Sequence, residues 1–140
     1  MSVEWTKDLQ TDIQEIDSQH KELFSRIDGL LNAWAGGRGL AEVETTLKFL
    51  EEYATAHFKT EERYMARYAY TNRTAHMAQH SVFVKSFEKL KKRYFQKGAD
   101  AELIAETNDL IVDWFRNHIR YVDRAFALFL KLKMHESRAA

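Results

Sequence analysis

The sequence has no cysteine and no proline, and only five of its 140 residues are glycine. The absence of cysteine excludes disulfides, thiolate zinc sites and iron–sulfur clusters. Because proline interrupts helices and alanine, leucine, glutamate and lysine favour them, this composition predicts long helices. The 21 acidic and 21 basic residues balance, so no excess of charge indicates a nucleic-acid partner or an anionic membrane.

The sequence also lacks long apolar runs. None approaches the roughly 20 residues that cross a bilayer. The first ten residues, MSVEWTKDLQ, lack the apolar core of a signal peptide. We therefore expect a soluble, cytoplasmic protein without a membrane partner. A chain of 140 residues is most simply a single domain with one core.

Apolar residues recur at spacings of three and four along four segments, which predicts amphipathic helices. The first helix is predicted to follow an N-cap at Asp17 or Ser18 and to end at a glycine-rich break. The others are predicted over about 40–68, 75–96 and 100–132. Since the connections are short, we predict an all-α, up-down-up-down antiparallel four-helix bundle.

The remaining segments extend this bundle at both ends. Residues 1–17 carry spaced apolar side chains, and we expect them to lie across the bundle as an N-terminal arm. The bundle itself is predicted over 18–132, where the fourth helix ends in a C-terminal extension, followed by a tail at 133–140. The inward stripe of this helix is predicted to continue beyond His118 through Tyr121, Val122, Ala125, Leu128 and Leu132.

Five of the six histidines lie on the inward stripes of the predicted helices. They are His20, His57, His76, His80 and His118. His57 and Glu61 are four residues apart, and so are the two histidines of the third helix. Residues four apart lie about 40° apart around a helix and share a face. The number of residues between each histidine and the chain reversal that joins its helix to a neighbour is similar in neighbouring helices. With a rise of about 1.5 Å per residue, all five histidines should therefore lie within a turn or two of the same height along the bundle axis.

Asp123 is the candidate carboxylate of the fourth helix, and the spacing leaves its role open. Five residues from His118 is about 140° around a straight α-helix, so Asp123 could equally be a surface partner of Arg120 or Arg124. For both Asp123 and His118 to point inward, the helix needs a π-type bulge or a break between them.

Three other features are expected to be solvated. Glu62 follows Glu61 directly and therefore lies about 100° from the inward face. His135 precedes the polar end of the chain. The basic cluster at 89–93 is more simply an exposed helix face than a polyanion site, given the balanced charge.

A single histidine on an apolar stripe is more often a hydrogen-bonded core residue than a metal ligand. Five of them buried with two carboxylates would leave many polar groups unpaired, at about 1–3 kcal/mol each, unless a cation is present. The alternative is a metal-free structural bundle. Seven donors exceed the four positions of a tetrahedral zinc ion, so the number favours two metals. Nitrogen and carboxylate donors with an open position suit non-haem iron better than magnesium or calcium, although manganese or zinc could occupy the same residues in vitro.

Four segments of the sequence resemble the hemerythrin family, and most closely its bacterial single-domain form. They are IDSQH (16–20), HFKTEE (57–62), HMAQH (76–80) and HIRYVD (118–123). The resemblance covers nearly the whole chain and implies a di-iron centre with a bridging oxo or hydroxo group. It implies one six-coordinate iron, one iron with a vacant position, and two bridging carboxylates. The implied ligands are His76, His80 and His118 for the first iron, His20 and His57 for the second, and Glu61 and Asp123 for both.

The resemblance further implies reversible binding of dioxygen, for storage, delivery or sensing, and not catalysis. A dry pocket would protect such a site from water and protons. Its candidate wall residues are Phe24, Phe58, Trp114, Phe115 and Ile119. The alternative function is a di-iron oxidase, a peroxidase or a nitric-oxide-handling enzyme, although the Glu-x-x-His pairs of carboxylate-rich di-iron proteins are missing. We expect a monomer that binds dioxygen, and the sequence identifies no protein partner.

Overall fold

The computed structural model of the protein describes residues 4–139, with side chains described for all of these except residue 40 and residues 137–139. This part of the chain forms helices and contains no strand. None of its helices combines the length and the apolar character that crossing a bilayer requires. Residues 1–3 of the predicted arm and residue 140 of the predicted tail lie outside the described residues.

Four long helices form an antiparallel bundle, as the sequence predicts. A short 3₁₀ turn at Lys7–Leu9 precedes α1 (Gln14–Ala35), α2 (Leu40–Arg67) and α3 (Arg73–Lys97). The fourth helix, α4, is continuous over 101–139. Each helix packs on the next one in the chain, and α4 also packs on α1, so the four close into a ring.

The fourth helix contains two π-helical segments along its length. Its segments are α-helical Ala101–Thr107, π-helical Asn108–Asp113, α-helical Trp114–Asn117, π-helical His118–Asp123 and α-helical Arg124–Ala139. The second π-helical segment lies where the sequence requires a bulge if both of its terminal residues are to point inward. The first π-helical segment was not predicted.

These two segments also change which residues face the core. A π-helical turn accommodates one extra residue, which advances the inward stripe by about 100° relative to a regular α-helix. As a result, the predicted stripe beyond His118 is wrong, and Tyr121 is 68% exposed. Ala125, Leu128 and Leu132 also face outward. Phe126, Ala127 and Leu130 are buried in their place.

The helix termini depart from the predicted ones at two places. α1 begins at Gln14, so the expected N-cap at Asp17 or Ser18 is wrong. The Asp17 carboxylate instead accepts hydrogen bonds at 2.8 Å from the backbone N–H and the hydroxyl of Thr11, which holds the end of the arm against the helix. At the other end α4 continues to Ala139, well beyond the predicted limit of 132.

Short connections reverse the chain between the helices. After α1, Gly37 has a φ of 64°, a left-handed conformation that favours glycine, and the N–H of Arg38 returns to the carbonyl of Ala33 at 3.0 Å. After α2, Ala69 adopts a φ of 54° in a similar reversal. The side chain of Asp100 caps α4 by accepting from the N–H of Leu103 at 2.7 Å.

Two apolar clusters fill the bundle, and a layer of polar side chains lies between them. The larger cluster includes Phe24, Leu50 and Phe115, and the smaller one includes Met65 and Phe126. On α1, α2 and α4 the buried histidines and carboxylates occur between residues of these two clusters, and on α3 His80 lies between Met77, which packs against the smaller cluster, and Phe83 of the larger one. The fold therefore holds the polar layer away from both ends of the bundle.

Candidate metal centre

All four helices contribute to the polar layer. α1 supplies His20, α2 supplies His57 and Glu61, α3 supplies two histidines, and α4 supplies one histidine and one carboxylate. Each of the seven residues is at most 3% exposed. The structure therefore brings together every residue that the sequence predicts as a metal ligand, namely His20, His57, Glu61, His76, His80, His118 and Asp123.

The π-helical segment determines the position of Asp123. A π-helix has about 4.4 residues per turn, so residues five apart lie nearly above one another. His118 and Asp123 therefore share a face, and His118 Nε2 lies 3.0 Å from Asp123 Oδ1. Because Asp123 is only 1% exposed, the alternative that it pairs with Arg120 or Arg124 at the surface is wrong. Arg120 instead pairs with Asp8 of the arm, at 2.7 Å.

The seven side chains form two donor groups that share both carboxylates. Within each group the ligand atoms all lie within 4.8 Å of one another. The five-residue group is Glu61, His76, His80, His118 and Asp123, and the four-residue group is His20, His57, Glu61 and Asp123. The first group thus has three imidazoles and the second has two.

The two oxygens of Asp123 face different donor groups. Oδ1 lies 2.9 Å from His76 Nε2 and 3.0 Å from His118 Nε2. Oδ2 lies 3.0 Å from His20 Nε2. Glu61 also lies between the groups, with Oε1 at 3.1 Å from His80 Nε2 and 3.6 Å from His57 Nε2. Both carboxylates therefore lie between the two donor groups and belong to each of them.

The layer lacks internal hydrogen bonds that would satisfy it without a cation. The Nε2 atoms of all five histidines and all four carboxylate oxygens are buried, and among the described residues none of them has a hydrogen-bond partner with proper geometry, despite the short separations. Unpaired buried groups of this kind cost about 1–3 kcal/mol each. Metal ions would satisfy them together, since imidazole nitrogen and carboxylate oxygen are donors for iron and zinc. The residues present therefore fit a metal centre.

Electrostatics in this layer favour ionised carboxylates. Burial alone would raise the pKa of Glu61, and so would Asp123, but the neighbouring histidines outweigh both and lower that pKa to about 2. Burial likewise opposes ionisation of Asp123, yet its contacts with His118, His20 and His76 hold its pKa well below the usual value. Two negative charges therefore remain in the interior, ready for a cation.

The histidines of the layer differ in their affinity for protons. Burial lowers the pKa of His57 to about 4, so this imidazole is neutral near pH 7 and can donate its lone pair. Burial opposes protonation of His76 too, but its close contacts with the negatively charged Asp123 and Glu61, 2.9 and 3.7 Å from its Nε2, raise its pKa to about 9. Without a metal, His76 is therefore protonated near pH 7, whereas His57 is not.

Two glutamines that were not predicted as functional residues orient two of the imidazoles. His57 Nδ1 lies 2.7 Å from Gln19 Oε1, and His118 Nδ1 lies 2.8 Å from Gln79 Oε1. Each glutamine directly precedes a histidine of the layer and reaches across to the next helix. The signal in the sequence is the repeated dipeptide Gln-His, at Gln19 and Gln79.

A chain of hydrogen bonds fixes the orientation of His57. The Thr60 hydroxyl donates to the Ala56 carbonyl at 3.1 Å, so its oxygen is left to accept from the amide nitrogen of Gln19 at 3.3 Å. The oxygen of Gln19 then faces His57 and must accept, which makes Nδ1 of the imidazole the donor. Nε2 of His57 therefore points into the layer with a free lone pair.

Glu62 contacts the centre, contrary to its predicted exposure. Its side chain is 27% exposed, and Oε2 lies 2.9 Å from Nδ1 of His80. Glu62 does lie outside the inward face of α2, but a glutamate side chain is long enough to reach sideways to the adjacent α3. His135, by contrast, is exposed as predicted.

Aromatic rings surround the imidazoles on their apolar sides. Phe115 is fully buried, with its centroid 5.8 Å from that of His20 and 6.4 Å from that of His57. Phe24 packs behind it at 5.5 Å. Among the other predicted wall residues, Phe58 stacks on His80 at 4.0 Å, Trp114 stacks on His118 at 4.6 Å, and Ile119 is buried in the larger cluster.

Comparison with known proteins identifies relatives of the chain. Bacteriohemerythrin of Methylococcus capsulatus is 32% identical over 123 residues, covering 87% of this chain and 92% of that protein. Bacteriohemerythrin of Pseudomonas paraeruginosa is 33% identical over 132 residues, covering 94% and 84% respectively. A crystal structure of a hemerythrin point mutant matches with a TM-score of 0.77 and 30% identity, covering 90% of this chain and 95% of that one.

The family model described as the hemerythrin HHE cation binding domain matches residues 11–129, a range that includes all seven residues of the polar layer. Similarity of the fold, of the sequence and of the family pattern therefore agree with the geometry of the layer. The chain belongs to the hemerythrin family of non-haem iron-binding helical domains.

Proposed function

We propose that this protein binds dioxygen reversibly at a centre of two iron ions, for storage, delivery or sensing. The observation that carries the proposal is the pair of donor groups that share Glu61 and Asp123. Two adjacent groups with common carboxylates suit two ions held close together. The names of the bacteriohemerythrin relatives point to the same chemistry.

The proposed ligands follow the two donor groups. The three imidazoles of the five-residue group would hold one iron, and the two of the other group would hold the second, with both carboxylates and an oxo or hydroxo group between them. The proposed ligands are His76, His80 and His118 for the first iron, His20 and His57 for the second, and Glu61 and Asp123 as bridges.

The two donor groups differ in their number of imidazoles, which favours binding of an exogenous ligand at the group that has fewer. The four-residue group supplies one imidazole fewer, so it leaves room for an exogenous ligand beside His20 and His57. When bound, two ferrous ions supply the two electrons that reversible dioxygen binding requires. The role of the chain is to orient the imidazoles and to keep the bridging carboxylates ionised.

The aromatic wall would make the binding reversible. Phe115 contacts both His20 and His57, and Phe24 closes the space behind it. Rings in these positions exclude water, which limits the delivery of protons that would drive the centre to an inactive oxidised state. Phe58, Trp114 and Ile119 would complete the apolar surroundings.

The proposal is tested by loading the protein with ferrous iron without oxygen, measuring iron per chain, and recording visible spectra through cycles of oxygen and argon. We expect two irons per chain and a coloured form that appears with oxygen and disappears under argon. One-way oxidation with turnover of an added reductant would instead indicate an oxidase or peroxidase. One iron per chain, or none, would overturn the di-iron assignment.

The wall is tested by replacing Phe115 with leucine, which keeps an apolar side chain and limits the loss of packing. We expect irreversible oxidation to be faster by about an order of magnitude, because water gains access to His20 and His57. The measurement is the decay of the oxygenated spectrum. Phe95→Leu is the control, since Phe95 is 50% exposed on α3. Equal decay rates in both variants would contradict this role.

A further inference from the structure

Three imidazoles of the centre have a hydrogen-bonding partner at Nδ1, and one of these partners differs in charge. His57 and His118 face the neutral amide oxygens of Gln19 and Gln79. His80 faces the carboxylate of Glu62, at 2.9 Å. The similar distances, between 2.7 and 2.9 Å, leave the charge of the acceptor as the main difference.

The charge of the acceptor alters the electron density of the imidazole. A carboxylate only accepts, so Nδ1 of His80 is the donor and Nε2 keeps its lone pair toward Glu61, 3.1 Å away. A hydrogen bond to a charged acceptor is stronger than one to an amide, and it shifts electron density into the ring. Such a partner raises the basicity of a metal-bound histidine.

The surroundings of His80 favour this arrangement. Phe58 stacks on the face of the ring, with 17° between the planes, which restrains the plane of the imidazole in which Nδ1 meets Glu62. Glu62 borders a groove of about 480 Å³ between α2 and α3 that is also lined by Lys59 and Lys85. Its side chain is 27% exposed, so part of the carboxylate remains hydrated and its burial is incomplete.

We propose that Glu62 is a positioning residue that makes His80 a stronger electron donor than His118, and so lowers the reduction potential of the metal held by the three-histidine group. The proposal rests on the di-iron centre proposed above. Glu62 acts through His80 and does not contact the metal. The centre is thereby electronically unequal not only in the number of its imidazoles but also in the donor strength of one of them.

The experiment exchanges the two kinds of partner. Glu62→Gln gives His80 an amide acceptor, and Gln79→Glu gives His118 a carboxylate. We expect the midpoint potential of the iron-loaded protein to rise in the first variant and to fall in the second. Glu62→Asp is the matched control, since it retains the charge but shortens the side chain, and we expect its potential to rise as in Glu62→Gln.

A second readout does not depend on iron or oxygen. In zinc-loaded protein with ¹⁵N-labelled histidine, the Nδ1 proton of His80 should resonate further downfield than those of His57 and His118. In Glu62→Gln it should move upfield to join them. Because zinc is not redox-active, this result is independent of whether the protein carries dioxygen.

The possible outcomes are distinguishable. Opposite shifts of potential in Glu62→Gln and Gln79→Glu, with the expected proton resonance, support the proposal. An unchanged midpoint potential in Glu62→Gln or in Gln79→Glu would overturn it. A wild-type potential in Glu62→Asp would overturn it too, because a negative charge without the hydrogen bond would then account for the effect. Loss of iron from Glu62→Gln would also overturn it, since the role would be structural. Failure of wild-type protein to bind oxygen reversibly would affect only the proposed function.

Discussion

Each imidazole of the centre is oriented by the atom that its second ring nitrogen contacts. Three Nδ1 atoms have side-chain partners, whereas those of His20 and His76 have no hydrogen-bond partner within the described part of the chain. The orientation of these two imidazoles therefore depends on the contacts of their Nε2 atoms. Nε2 of His20 lies 3.0 Å from Asp123 Oδ2, and Nε2 of His76 lies 2.9 Å from Asp123 Oδ1. Removing a ligand should accordingly disturb its neighbours as well.

We expect His118→Ala to lower the iron content and to destabilise the loaded protein by about 2–5 kcal/mol, through a cavity and the loss of bound metal. Trp114, which stacks on His118, would lose its main aromatic contact in the layer. Iron analysis and thermal unfolding measure the effect. His135→Ala is the matched control, because His135 is exposed and should change neither quantity. Full retention of iron by His118→Ala would rule out its ligand role.

Metal binding should release a proton from the centre. With its pKa raised to about 9, His76 is protonated in the metal-free protein at pH 7–8, whereas His57, with its pKa lowered to about 4, is not. A metal displaces the proton of His76, so the apparent affinity should rise with pH up to about 9, by about tenfold per unit. Zinc titration calorimetry in buffers with different ionisation enthalpies measures the release. An enthalpy that is the same in every buffer would contradict it.

At the scale of the helix, the π-helical segment His118–Asp123 gives α4 its role in the centre. It carries one residue more than an α-helical turn would need between the same two inward positions. The extra residue is accommodated on the outer surface, where Tyr121 is exposed. Downstream, Phe126 and Leu130 reach the smaller apolar cluster only because of this offset.

Deletion of Tyr121 should therefore be tolerated. His118 and the aspartate would then be four residues apart on a regular α-helix and would still share a face. We expect the deletion to preserve metal content, with a thermal midpoint equal to or above that of the parent protein. Deletion of the exposed Ala125 is the control, because it must displace either Asp123 or Phe126. Equal loss of metal in both deletions would contradict the argument.

The helices themselves were largely predictable, because apolar periodicity and glycine-rich breaks determine where they lie. Once His118 and Asp123 are both taken to face inward, their spacing predicts a π-type bulge or a break where the second π-helical segment lies. The first π-helical segment was not predictable, since no pair of chemically related residues marks it. The start of α1 was missed because Asp17 resembles an N-cap in sequence, although its carboxylate serves the backbone of Thr11.

At the scale of the whole molecule, two similar helical pairs surround the centre. A Gln-His dipeptide on α1 faces a histidine on α2, and another on α3 faces a histidine on α4. The heights of the ligands along the bundle axis follow from the number of residues between each ligand and the end of its helix, so they could be predicted from the sequence. Contacts between helices were not, because Gln19 and Glu62 lie off the inward stripes and reach the imidazoles only by their length.

The connection between α2 and α3 divides the ligands unequally between two hairpins. The first hairpin holds His20, His57 and Glu61, and the second holds the remaining four. Neither donor group is complete in one hairpin, because each takes one carboxylate from the other. We therefore expect the centre to assemble without covalent continuity of the connection at 68–72.

Cutting the chain within 68–72 should thus yield two polypeptides that associate with each other only when metal is bound. Coexpressed halves should elute together from a sizing column when zinc or iron is present and separate after chelation, whereas the same halves with Glu61→Ala should associate weakly in either condition. If the halves remain associated after chelation, the apolar clusters alone are sufficient to hold them together. If they separate, the carboxylate that each hairpin supplies to the other makes the divided protein a heterodimer whose assembly is reversible and depends on the metal ion.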